Sequence, residues 1–103
     1  MVYIICAAIW VKDPNIECRT ARNIEKGEVV TGYRHGNCYA IISRLYDFDK
    51  EKGYPKYYLH WEKVQGFLTS EGTFVDRKEA AKIAFQAKQI KTEKTVLYSE
   101  DLY

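Results

Sequence analysis

The sequence predicts a single α+β domain over residues 1–103, a small antiparallel sheet with about two helices. Three stretches carry that prediction. Residues 2–11, "VYIICAAIWV", form a short apolar run of strand length. "QGFLTSEGTFV", from Gln65, reads as a strand, a turn at Ser70-Glu71-Gly72 and a second short strand. Asp76 followed three residues later by Glu79 is a capping box opening a helix.

The first run is apolar on both parities. Tyr3, Ile5, Ala7, Ile9 and Val11 would face one way, and Val2, Ile4, Cys6, Ala8 and Trp10 the other. Such a strand is covered on both sides, and in a chain this small a second subunit is a ready source of one cover. Ala7-Ala8 is weak strand material, which suggests close packing against the backbone there. Residues 12–28 are polar and read as a surface excursion ending in a turn at Glu25-Lys26-Gly27. Whether Ile16 to Asn23 holds a further strand is left open.

A second strand follows at Glu28 to Tyr33, antiparallel to the first. Beyond Gly36 the period becomes helical, with Asn37 as cap and Ala40, Ile41, Leu45 and Phe48 on one side. Tyr39, Ile42 and Tyr46 lie adjacent. The pattern fades in "DFDKEKGYPKYY", where Gly53 and Pro55 stop regular structure, and "YYLHWEKV" has no clean period. After Asp76, the inner stripe of the second helix is Ala80, Ile83, Ala84 and Ala87, widened by Phe85. Lys78, Lys82, Gln86 and Gln89 are left outside. Val96 and Leu97 suggest a short extended piece before the tail.

Composition narrows the function. Lys plus Arg is 16 against 14 for Asp plus Glu, a net charge of +2. A nearly balanced chain has no broad positive field, so nucleic acid is a poor partner and any anion site must be local. Nine Tyr, four Phe and two Trp exceed what a small core needs. Tyr in particular suits ligand platforms and subunit contacts. Cys6, Cys18 and Cys38 match no metal spacing, and with no secretion signal they fit a reducing interior. Residues 2–11 are too short to span a bilayer.

Arg34 and His35 fall where a strand ends and a helix begins, between Gly32 and Gly36. A helix start offers free backbone N–H groups, and Arg adds a planar fork for phosphate oxygens. The plainer alternative is an Arg paired with a surface carboxylate and a His packed on a neighbour. Arg77 stands at the second helix start, electrostatically a poor place for Arg unless an external anion awaits it. A pairing of Arg77 with Glu71 across the turn is the competing reading. Phe67 and Phe74 are the candidate rings for stacking on a base, or else plain core. His60 and His35 are the only histidines, with no carboxylate at metal spacing. No catalytic residues, cofactor or metal site are expected, and no phosphate-binding loop or nucleophile elbow occurs.

Taken in order, Ala7-Ala8-Ile9, Gly32-Tyr33-Arg34-His35, Gln65-Gly66-Phe67, the run Phe74 to Ala80 and the tail Ser99 to Tyr103 resemble a phage-encoded pattern. The chain resembles the first described anti-Thoeris family, the nucleotide-signal sponges. Residues 12–28 and 47–60 carry none of the resemblance. The resemblance implies a protein of the bacterial host cytoplasm that performs no chemistry. It would sequester a cyclic ADP-ribose-type signal, assemble as a homo-oligomer with pockets between subunits, and in some cases bind cyclic oligonucleotides. Carried over, Arg34 and Arg77 would hold the pyrophosphate, with aromatic residues flanking the adenine. The rival readings are a small phosphodiester or pyrophosphate hydrolase using His35 and Arg77, and an inhibitor that binds a host protein.

Overall fold

The apolar run near the start becomes β1, Ile4–Val11, and it lies inside the sheet rather than at its edge. The computed structural model describes residues 1–50 and 62–102, with backbone alone for 45–50. β2, Glu28–Gly32, runs antiparallel to β1 with Ile9 opposite Val30. β3, Lys63–Thr69, flanks β1 on the other side with Ile9 opposite Gln65. β4, Phe74–Asp76, closes a hairpin with β3, so the order is β2-β1-β3-β4, all antiparallel. The hairpin turns where expected, through Gly72 at φ 76°, a left-handed conformation that glycine adopts without a Cβ clash.

Ile4, Ala7, Ile9 and Val11 share one buried face, where simple alternation puts Ile5 with Ala7. The register shifts between Ile4 and Cys6, and this irregularity changes the parity and leaves Ile5 exposed. Two helices cover that face: α1, His35–Lys50, and α2, Arg77–Gln86. On the opposite face Ala8, Val29 and Phe74 are buried with Ala21 and packed by Trp10, Cys18 and Ile24. The chain's own excursion therefore supplies a second cover for β1. Both Ala7 and Ala8 are fully buried, as close packing requires.

The helices depart from the expected stripes in detail. α1 begins at His35, two residues before Asn37, and Gly36 lies in its first turn. Its inward residues are Cys38 and Ile42, one helical turn apart, while Tyr39, Ala40 and Ile41 are exposed. The side chains of Leu45, Tyr46 and Phe48 lie outside the described residues, as do the loop around Gly53 and Pro55 and the stretch through Trp61. In α2 the Asp76 carboxylate accepts from the Glu79 N–H at 2.8 Å, so the cap sits where the sequence put it. Ala80, Ala81, Ile83 and Ala84 are buried, but Phe85 is 40% exposed and does not widen the stripe.

Past α2, Lys88 takes a left-handed φ of 61° and turns the chain back. Gln89, expected outside, therefore reaches β1: its amide accepts from the Ile4 N–H and donates to the Ile4 carbonyl, both at 2.8 Å. Val96-Leu97 forms no strand. Leu97 is fully buried, its N–H bonds the Arg77 carbonyl at 3.0 Å, and a short 3-10 turn, Ser99–Asp101, follows.

Candidate functional site

β2 ends at Gly32 and α1 starts at His35, so Tyr33-Arg34 is the corner between strand and helix. The Arg34 N–H donates to Asn37 Oδ1 at 3.0 Å. Asn37 thus works from inside the first turn, bonding back to the residue before the helix. Gly32 lets that turn approach: a Cβ there would stand 3.0 Å from Asn37 Cβ and 3.3 Å from Cys38 Sγ.

His35 is buried, at 7% exposure. Its Nε2 lies 2.8 Å from the Gly66 carbonyl, and its Nδ1 lies 3.3 Å from Ser99 Oγ. A carbonyl only accepts, so Nε2 carries the proton and neutral Nδ1 is left to accept from the Ser99 hydroxyl. The ring stands edge-on to Phe67, centroids 5.0 Å apart. Burial pulls the His35 pKa below its ordinary value and the nearby Arg77 charge adds to this, against the Gly66 hydrogen bond and Glu100.

Gly66 is the meeting point. It pairs in the ladder with Asp76, the cap of α2, while its carbonyl holds the first residue of α1. The two helix starts therefore converge on one glycine of β3. A side chain at Gly66 would run into the Val75 carbonyl and come within 2.7 Å of the Phe74 ring. Arg77 opens α2 with its guanidinium carbon 4.7 Å from the Tyr98 ring, a cation–π geometry. Its Nε is buried and has no hydrogen-bond partner among the described residues. An unmet buried donor of this kind costs about 1–3 kcal/mol.

The structure thus brings His35 and Arg77 together, and the 98–101 segment closes over both. Arg34, adjacent in the chain, is exposed, with its guanidinium 5.9 Å from the Tyr33 ring. The competing pairing of Arg77 with Glu71 is not among the ion pairs of the described residues, and the Glu71 main-chain carbonyl accepts from Arg22 Nε at 2.7 Å. Phe67 and Phe74 are both core, on opposite faces of the sheet, Phe74 edge-on to Trp10. Neither leaves a ring face for a base. The ring at the site is Tyr98, 46% exposed. Neither it nor the contact of Ser99 with His35 follows from local spacing, because Tyr98 meets Arg77 from a distant part of the chain and Ser99 meets His35 across 64 residues. His60 lies outside the described residues. Among the described residues, no three His, Cys, Asp or Glu side chains are grouped to hold a metal.

A small antiparallel sheet whose two helix starts share one basic, ring-bearing corner defines the class of protein by shape. The chain matches the model of the phage T4 y16D protein family over residues 3–103, and it belongs to that phage family. No curated protein and no solved structure matches it. Among the described residues, no helix is long and apolar enough to cross a membrane.

Proposed function

We propose that this phage protein binds and sequesters a cyclic ADP-ribose-type nucleotide without cleaving it, and so silences a bacterial antiphage signal. The observation that carries this reading is the convergence of the two helix starts on Gly66, with Arg77 at one and Arg34-His35 at the other. Helix starts favour phosphate oxygens, and Arg77 keeps a buried N–H that a phosphate oxygen would satisfy. Tyr98, rather than Phe67 or Phe74, is the ring available to an adenine. A sequestering protein needs tight binding and no transition-state stabilisation. Exposed Tyr3, Ile5, Tyr33 and Ile41 give apolar surface on which a second copy would dock.

A hydrolase is the second reading, favoured by one contact. Neutral Nδ1 of His35 faces Ser99 Oγ at 3.3 Å, the relation of a base to a hydroxyl nucleophile. Ser99 is 5% exposed, so a substrate would reach it only if the turn moved. One experiment separates the two. The protein is incubated with cyclic ADP-ribose isomers, free ligand is followed by chromatography, and the complex is then heat-denatured. Sequestration predicts depletion and intact return; cleaved return makes it an enzyme; no depletion sinks both. In the sequestration case, Arg34→Ala and Arg77→Gln each weaken binding at least tenfold with the fold unchanged.

A further inference from the structure

On the outer side of α2 lies a groove of about 350 Å³ lined by Lys78, Lys82, Glu93, Lys94 and Thr95. That volume is at the lower end of small-molecule sites, which run from roughly 300 to 1,000 Å³. Lys78 and Lys82 are one helical turn apart, so their ammonium groups repel each other along one face. Neither has an ion-pair partner among the described residues. Lys94 adds a third positive charge from the segment across the groove, and Glu93 is the sole acid in the lining. With Lys94 paired to Asp101, the positive charge of the groove rests on Lys78 and Lys82 against Glu93.

We infer that the groove binds a compact polyanion, a small molecule carrying two or more linked phosphates. Lysines are point charges with rotatable donors, suited to phosphate oxygens in several orientations and indifferent to the planar geometry of a carboxylate. Three of them around one small concavity match a ligand whose charge is concentrated, whereas a nucleic-acid strand needs a long basic track. Lys94 bonds Asp101 Oδ1, while Asp101 Oδ2 accepts from the Tyr98 N–H at 2.9 Å. A bound polyanion competes with Asp101 for Lys94. It thereby acts on the turn that holds Tyr98 on Arg77 and Ser99 on His35.

The inference stands independently of the proposed nucleotide sequestration. Its test is calorimetric titration of the full chain with inorganic triphosphate, beside Lys78→Gln/Lys82→Gln and Arg34→Ala/Arg77→Gln double variants. Lys78 and Lys82 are exposed, and an unchanged melting curve confirms their variant as folded. Lys94→Gln serves as a second groove variant. The groove predicts at least tenfold weaker binding in the lysine variants and unchanged binding in the arginine one. Backbone amide shifts at Tyr98 and Asp101 should accompany binding in the parent. The inference is overturned if triphosphate fails to bind, or binds the lysine variants as tightly as the parent. Loss confined to the arginine variant also overturns it, placing the phosphates at the helix starts and leaving the sequestration reading intact.

Discussion

His35 concentrates the chemistry of the corner because its ring is bonded at both nitrogens and buried as a neutral group. Burial, aided by Arg77, holds its folded pKa below the value near 6.5 of the unfolded chain. The sign follows directly. Above about pH 6.5 neither state is protonated, so folding has no penalty from this group. As pH falls through that value, the unfolded chain takes up a proton that the folded one resists, and stability drops. Urea unfolding between pH 7.5 and 5 should therefore show a fall in stability that is shallower in His35→Gln. An equal slope in the variant would mean that His35 does not resist protonation in the fold. The variant itself should cost about 1–3 kcal/mol at pH 7.5, since Ser99 or the Gly66 carbonyl loses its partner. That His35 is a buried structural residue was open in the sequence: Gly32-Tyr33-Arg34-His35 marks a corner but does not say which way the ring turns.

At the scale of elements, α2 is the part most fully legible in the sequence. Asp76 encodes its start through purely local chemistry, as one half of the expected capping box, and the alanines and Ile83 encode its buried face through period alone. Asp76→Ala should lower stability by about 1 kcal/mol, read by chemical denaturation, because the Glu79 N–H loses its acceptor. Asp76→Asn, which keeps an acceptor, should recover most of the loss. The less legible elements are those set by distant partners. α1 starts at His35 because His35 is held by β3 and the 98–101 turn, a constraint that Asn37 cannot report. Gln89 reads as a surface residue until Lys88 takes its left-handed turn and delivers the amide to β1. Phe67 and Phe74 look available in the hairpin for the same reason, but the two core clusters take them up, which is the plain-core alternative.

For the molecule as a whole, β1 is the element around which everything else is ordered. Over Ala7–Val11 it is paired on both sides, with a helix layer on one face and the 12–27 excursion on the other. Hydrogen exchange should find its slowest amides there, opening only with global unfolding, and faster exchange in β4 and the excursion. Comparable protection in β4 would contradict that ranking. The sequence marked β1 as doubly covered, yet its source of cover depended on where residues 12–27 fold, which polar composition does not reveal.

The strand order also has a temporal side. β1 meets β2 after a short excursion, but its other neighbour, opposite Ile9 at Gln65, is made more than fifty residues later. At about 5–20 residues per second, a ribosome leaves that apolar edge without its partner for several seconds. During that interval the nascent hairpin presents an open flank able to pair with another chain. Yield in an infected cell should thus be governed by how quickly β3 emerges to close the flank, so slow codons between β2 and β3 would be more damaging than equally slow codons after β4.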